Sequence, residues 1–478
     1  MQTSWLSWLP HRAQYELTSL IELSYPIALS LMGKFGLSIT ELMVAGHLGI
    51  AEYTAVAYAQ LVLDFTLVVF TQGFDKGLNA LAAQAFGAGN FQLVGEYTQL
   101  AALCLSLMCV PLGIAWYYCC SLLSLVGISE HSTDLATTYA RVSTAWIWPR
   151  LMFDVLSSNF QAQQVTLPTA IAALLAMLGN AVFSIVLVFG VPIIGWHGLG
   201  FLGCPVALIF THYLRLGGYV YFMRYIYRTE IPQSIWHCNW HFLSITKLME
   251  LLSIGIPLML GELFKNMQFQ IMAVFASVQS EVALDAHNTM MQIVFFLSSP
   301  IYGLRDAAVS RLGMYLGAGE YEEAQYASHI LLAAMLGISV IIALPWIAAQ
   351  GILGLFFSQD HNIIQLISSI TVLAATGFII LSFFFYAMAI LMAQARTLPI
   401  MMAFVCGAWF IGVPTAYILS QWDDMGLVGV WSGMAIGYTF TTLIGFYHAQ
   451  WSNWRETAMR SVERCSIKHA EETTPLVV

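Results

Sequence analysis

The residues in this chain that could do chemistry are acids and bases set inside apolar sequence. Glu41 follows Lys34 by seven residues. In a helix that is about two turns, roughly 10.5 Å of rise, so both side chains leave from one face. Glu262 and Lys265 form a second such group, three residues apart and again in an apolar run. Asp64 stands in the middle of a third run, within reach of a partner such as Lys34. Arg150 and Asp154 sit at i, i+4 beside Pro149, a spacing at which opposite charges support each other. Asp75 and Lys76 lie near a helix end, where an interfacial position suits them. An ionised side chain at the centre of a bilayer costs roughly 2.5–3.5 kcal/mol on insertion scales, so such groups persist when paired, hydrated or used. A carboxylate in a cavity that opens to each side of a membrane in turn can take up a proton on one side and release it on the other. Glu41 can equally ligate sodium, with Thr40 and Asn180 as neighbouring oxygens, or rest hydrated at an interface. Lys265 has two readings here: it neutralises Glu262, or it titrates itself because burial disfavours an ammonium.

The elements that must position these groups are membrane-spanning helices. Of 478 residues, 59% are apolar and 9% are charged, against roughly 25% charged in ordinary soluble domains. Residues 101–129, 170–195, 270–280 and 329–357 carry almost no charge, and about 20 such residues cross the hydrocarbon core as one helix. Spans are expected near 18–45, 54–82, 97–121, 138–163, 169–193, 198–224, 249–276, 285–308, 326–352, 363–391, 397–420 and 427–449. The fold class is therefore an all-α integral membrane protein of twelve transmembrane helices.

Orientation follows from the basic residues rather than from the net charge of -9. With both termini cytoplasmic, Arg12, Lys76, Arg224, Lys247, Arg305, Arg311, Arg396 and Arg455 fall in or beside inside segments. The outside connections hold Glu52, Glu130, Asp134, Glu281, Asp285, Asp423 and Asp424 instead, the asymmetry of the positive-inside rule. The organisation is an N-terminal segment 1–17, a first lobe 18–226, a polar linker 227–248, a second lobe 249–450 and a basic tail 451–478. The tail is expected to lie on the anionic inner leaflet.

The halves repeat at an offset of about 230. Pro26 and Lys34 correspond to Pro257 and Lys265, Gly87-Ala88-Gly89 to Gly317-Ala318-Gly319, and Gly198-Leu199 to Gly426-Leu427. With six spans in each half, both lobes share one orientation, a parallel repeat about an axis along the membrane normal, as in many secondary transporters. The eight cysteines and the histidines show no metal-ligand spacing, and no phosphate-binding loop with Lys-Ser/Thr occurs, so ATP hydrolysis is not expected. No cofactor, enzymatic activity or nucleic-acid partner is expected either. The start of the chain lacks the basic–apolar–small order of a cleavable signal.

Gly73–Asn90 (GFDKGLNALAAQAFGAGN), with its AQAFGAGN core, resembles the end of the second helix in the multidrug and toxic-compound extrusion (MATE) family. Pro300–Glu320 is similar to the matching motif at the eighth helix, and Phe160–Pro168 (FQAQQVTLP) to the loop after the fourth. Gly412-Val413-Pro414 and Gly426–Gly437 resemble the eleventh and twelfth helices, so the likeness runs from about 20 to 450.

The resemblance implies two six-helix lobes around a central cleft, and antiport in which small organic, often cationic, compounds leave as protons or sodium ions enter. It puts Glu41 at the family's first-helix carboxylate. Lys265 departs from the pattern: many members carry a coupling Glu there, while here Glu262 stands one turn earlier. The tenth helix lacks an acid between Ile363 and Gln394, which tilts the coupling ion towards protons over sodium. The expected coupling set is Glu41, Glu262, Asp64, Lys34 and Lys265, and the expected substrate cleft is Phe385, Tyr386, Met290, Met291 and Asn180. Aromatic faces attract organic cations and methionine adapts to varied shapes. A functional monomer in the plasma membrane or a bacterial inner membrane is expected. A flippase or exporter for lipid-linked precursors or anionic metabolites is the alternative, with Lys34 and Lys265 attracting the anion.

Overall fold

The computed structural model describes residues 10–120, 130–191, 195–227, 234–236, 242–356 and 361–466; the side chains at 64, 68, 70, 234 and 356 lie outside that description. Each of the twelve expected spans coincides with helix among the described residues. The first lobe holds α1 (His11–Leu48), α2 (Ile50–Gly87), α3 (Phe91–Cys119), α4 (Glu130–Ala162), α5 (Leu167–Phe189) and α6 (Gly203–Tyr221). The second holds α7 (Ile245–Gln279), α8 (Glu281–Leu297), α9 (Ser299–Gly317), α10 (Tyr321–Ala348), the short α11 (Gln350–Leu353) and α12 (His361–Ala393). Its eleventh span, Leu398–Trp422, joins α13 (Leu398–Ala403) and α14 (Val413–Tyr417) through π-helical turns, and α15 (Gly426–Gln450) completes the lobe. Helices satisfy every backbone group within the segment, which is what a lipid environment demands. On α5, Leu175, Leu178, Val182 and Ile185 recur at helical spacing and each is more than half exposed. A contiguous apolar face of that kind is stable against lipid rather than water.

Two expectations need correction. The eighth span is not one helix: α8 stops at Leu297 and α9 starts at Ser299. Pro300 cannot donate to the residue four positions back, and Ser298 turns its hydroxyl to the Val294 carbonyl at 2.7 Å. The tail does not simply lie on the leaflet. Its helix α16 (Trp454–Ser466) docks on the protein, with Trp454, Ala458, Ser461 and Cys465 buried. There Asn90 donates to the Cys465 carbonyl at 3.0 Å, and Arg464 to Gln84 Oε1 at 2.9 Å.

The repeat is visible in the backbone. The chain leaves α2 and α9 through Gly89 (φ 71) and Gly319 (φ 82). Each is followed by a 6→1 closing bond, Asn90 N–H to Ala85 at 3.0 Å and Glu320 N–H to Tyr315 at 2.9 Å. With an even number of spans, both termini lie on one side of the membrane, here called the terminal side. The lobes meet towards that side. α2 packs on α7 and α9, and α1 packs on α9. Gly73 faces the Gly255 backbone and Met259, and Gly303 faces the Ser24 and Ala28 backbone so closely that a Cβ at either position would collide. Small residues are what let two membrane helices cross at such range. The central cleft lies between the lobes.

Candidate functional site

Each lobe encloses a cavity. The first lies between α1, α2, α4 and α6 and has Glu41 and Lys34 on its wall, so the two share a face as their spacing predicts. Glu41 is 1% exposed and accepts hydrogen bonds from the Tyr139 hydroxyl of α4 and, at 3.1 Å, from Gln60 Nε2 of α2. Lys34 meets Asp154 of α4 at 2.8 Å. Asp154 thus answers a lysine on another helix, while Arg150, one turn earlier, lies over the Trp146 ring at 5.4 Å. The far wall comes from α6. His212 stacks on Trp146 with ring centres 4.9 Å apart, and Arg215 stands 4.0 Å from the centre of the Phe153 ring.

Asp64 belongs to α2, but its side chain lies outside the described residues, as do His237 and Cys238 of the linker. Asn180 is buried on α5, where it accepts a hydrogen bond from Thr211 at 3.0 Å, and it does not line this cavity. Thr40 gives its hydroxyl to the Gly36 carbonyl at 2.8 Å.

The second cavity lies among α7, α8, α12 and α15. Phe269, Phe378, Trp431 and Tyr438 make it aromatic, Phe385 and Met291 line it as well, and Lys265 is its one cation among the described residues. Met290 and Tyr386 do not line it. Met290 is wholly buried in the core, and the Tyr386 hydroxyl accepts from Gln450 at 3.2 Å. Successive helical residues diverge by about 100°, which turns Met290 and Tyr386 away from the face that Met291 and Phe385 present.

Glu262 accepts from Lys265 on its own helix and from Lys76 Nζ at 2.8 Å. Lys76 comes from α2, so this pair crosses between the lobes, with the lysine side chain 11% exposed; its neighbour Asp75 takes the Ser158 hydroxyl. More cross-lobe pairs lie towards the terminal side. Arg311 grips Glu16 through Nε at 2.8 Å and Nη2 at 2.9 Å, with Tyr315 on the same carboxylate. Lys247 pairs with Glu96, Tyr97 donates to Glu250, and Arg12 meets Glu323 at 2.8 Å.

Sequence reasoning missed Gln60, Tyr139 and Arg215 as cavity residues. Arg215 had a signal, a cation within an otherwise apolar span. Gln60 and Tyr139 had none, because polar residues are common on helices and only the fold brings these two to Glu41.

The MatE family model matches the chain twice, over residues 26–186 and 257–418, which reproduces the internal repeat. Protein DETOXIFICATION 12 of Arabidopsis thaliana is 25% identical over 95% of this chain and 93% of its own length. Multidrug and toxin extrusion protein 1 of Homo sapiens is 22% identical over 95% of this chain and 78% of its own. Among solved structures, the eukaryotic MATE transporter AtDTX14 superposes with a TM-score of 0.85 at 21% identity, over 95% of this chain and all of that one. A transporter of the MOP superfamily from Pyrococcus furiosus, whose binding pocket is described as reversed in polarity, superposes with a TM-score of 0.80 at 17% identity, over 94% and 96% of the two chains. Two matched halves, twelve spans in two lobes and full-length relatives lead to one conclusion: the chain belongs to the MATE family of multi-pass membrane transporters.

Proposed function

We propose that this transporter exports small organic, predominantly cationic, compounds in exchange for protons by alternating access. The observation that carries the reading is Glu41: a buried carboxylate on a cavity wall, held by Tyr139 and Gln60. Ionised, it attracts a substrate cation. A proton arriving from the opposite side removes that charge and releases the substrate. One carboxylate then serves both ligands in turn, which is the competition that couples their flows. Tyr139 and Gln60 point donors at Glu41, whereas a sodium ion needs oxygen lone pairs there.

Glu262 enters the cycle by another route. Clamped between Lys76 and Lys265, it acts as a cross-lobe clasp that opens when the lobes rock. Lys34 neutralises Asp154 and sets the field that Glu41 feels. The terminal side carries Arg12, Arg311, Arg396, Arg455, Arg460 and Arg464, so by the positive-inside rule it is cytoplasmic. The chain works as a monomer in the plasma membrane or a bacterial inner membrane.

The test is efflux of a cationic dye from proteoliposomes under an imposed proton gradient and then a sodium gradient, with Glu41→Gln alongside. Proton-driven flux that disappears in the variant supports the reading. Flux under sodium alone overturns the ion, and full proton-driven flux in a well-folded Glu41→Gln protein overturns the site.

A further inference from the structure

Of the eight cysteines, Cys119 and Cys120 alone are adjacent in the chain, and no step of the proposed transport uses them. They close α3 at the end opposite the termini. Cys119 is half-buried, Cys120 is wholly buried, and both thiols are free. Their sulfurs lie 3.9 Å apart. The pair is anchored from one turn back, where the Trp116 carbonyl stands 3.7 Å from Cys119 Sγ. Trp116 is itself wholly buried, its Nε1 donating to Thr66 at 2.8 Å and its ring edge-on to Trp146 with centres 5.1 Å apart. A fixed helix end therefore holds two sulfurs side by side.

In the orientation proposed above this end is extracytoplasmic, on the side where neighbouring cysteines commonly oxidise to disulfides. This pair is too close in the backbone for that. Adjacent Cα atoms are about 3.8 Å apart across a trans peptide, short of the roughly 4.4–6.8 Å that a disulfide spans. A third atom suits the gap better. A bond from sulfur to a soft centre is about 2.3 Å long, so one such atom at a tetrahedral angle bridges sulfurs about 3.8 Å apart. A zinc-type ion would want four ligands. Among the described residues no group of three or more His, Cys, Asp or Glu side chains is placed to hold a metal, so such an ion would find only half its set here. The trivalent arsenic of an organic arsenical takes two sulfurs and no more.

We propose that Cys119 and Cys120 form a vicinal dithiol site that captures trivalent organic arsenicals of the form R–As=O. Cys119 meets the reagent first. Cys120 needs no exposure of its own, because once arsenic sits on Cys119 the second bond closes within the molecule. Two As–S bonds form as arsenic loses its oxygen, and the two thiol protons leave on that oxygen as water. Arsenic stays trivalent throughout, so no oxidant or reductant takes part. The site lies outside both cavities and stands whether or not the export reading does.

The test treats the purified full-length protein in nanodiscs with phenylarsine oxide. Intact mass is then read after washing with excess 2-mercaptoethanol and, separately, with 2,3-dimercaptopropanol. The natural protein should keep one phenylarsenic group through the monothiol and lose it to the dithiol, because a chelated arsenical outlasts a monothiol and a singly bonded one does not. Cys119→Ala and Cys120→Ala should each cut the monothiol-resistant adduct to less than about a tenth of its natural level. Cys119→Ser, which keeps the size and polarity of the side chain without its sulfur, should do the same and guards against a packing defect. Absence of a monothiol-resistant adduct on the natural protein overturns the proposal without any variant. An adduct that persists at the natural level in either alanine variant also overturns it, since it would belong to other cysteines.

Discussion

Lys34 and Lys265 hold the same place in the two halves of the chain, yet they are neutralised differently. Lys34 reaches across to Asp154 on α4. Lys265 turns to Glu262 on its own helix, because the residue equivalent to Asp154 in the second half is Phe385. The replacement extends to other positions: at the same offset Glu41 corresponds to Met272, which is buried off the second cavity, and Gln60 to Met291, which lines it. At the lobe contact, Asp75-Lys76 corresponds to Arg305-Asp306, with the signs reversed. The turns, by contrast, are kept. Thr166-Leu167-Pro168 and Thr397-Leu398-Pro399 are identical, and Gln164 (φ 63) and Ala395 (φ 56) precede them in the same left-handed conformation. What the repeat preserves is backbone path and helix crossing. Cavity chemistry has diverged, so the first lobe is built to handle charge and the second to hold apolar and aromatic surface.

The largest test of that division is at the paired positions 41 and 272. Glu41→Gln should reduce proton-driven flux to background. Met272→Leu, at the equivalent place, should leave it within about twofold, because a volume-conserving swap in an apolar core is well tolerated. Measured side by side in proteoliposomes, equal losses would show that position 41 matters for packing and that the lobes do not divide the work.

A second test compares the two lysines. Glu262→Gln strands Lys76 at the lobe contact and Lys265 on the wall of the second cavity, with side chains only 11% and 17% exposed. Removing one partner of a buried ion pair destabilises by about 3–5 kcal/mol. Asp154→Asn strands Lys34, which at 34% exposure can reach water, and the expected loss is about 1 kcal/mol or less. Chemical denaturation of the purified proteins gives both numbers. Similar losses would mean that the two lysines sit in environments more alike than the structure has them.

These pairs also explain what the sequence could and could not reveal. Spans and repeat are written in long apolar runs and recurring glycines, which are local or periodic signals. The i, i+3 relation of Glu262 and Lys265 was legible for the same reason. Lys34–Asp154, Lys76–Glu262 and Glu16–Arg311 were not, because each joins residues far apart in the chain and depends on how helices turn about their axes. Arg150 and Asp154 do attract each other on one helix, as their spacing indicates, but the closer partner of the aspartate is a lysine on α1. Rotation about the helix axis also separated Met291 from Met290 and Phe385 from Tyr386. The break at Ser298 was announced by Pro300 but is invisible to hydropathy.

That rotation supplies a third, smaller effect. Phe385→Leu removes an aromatic face from the second-lobe cavity and should weaken apparent affinity for a lipophilic cationic dye by about two- to fivefold. The coupling ratio should not move. Tyr386→Phe, one residue on and outside the cavity, should leave dye affinity unchanged. Concentration-dependent efflux separates the two. If Tyr386→Phe matters more, the apolar lobe presents a different face to substrate during transport.

The smallest effect lies in the turns that the two lobes share. An L residue in the left-handed region is disfavoured by about 1–2 kcal/mol, and glycine escapes this while giving back roughly 0.5–1 kcal/mol in chain entropy. Ala395 makes no side-chain hydrogen bond, so Ala395→Gly should stabilise the protein by about 0.5–1 kcal/mol, read as a higher unfolding midpoint in detergent. Gln164 sits in the same conformation but accepts from Arg311 at 3.3 Å across the lobe contact. Losing a hydrogen bond to a charged group cancels the gain, so Gln164→Gly should be neutral or destabilising. The sign of the difference is the informative quantity. If both glycines stabilise equally, the Gln164–Arg311 contact contributes nothing to closure, and the first-lobe turn serves only to connect helices, as its counterpart does. If only Ala395→Gly stabilises, one backbone feature has been kept twice and recruited once, with the strained residue of the first lobe held in place by its bond across the terminal-side contact.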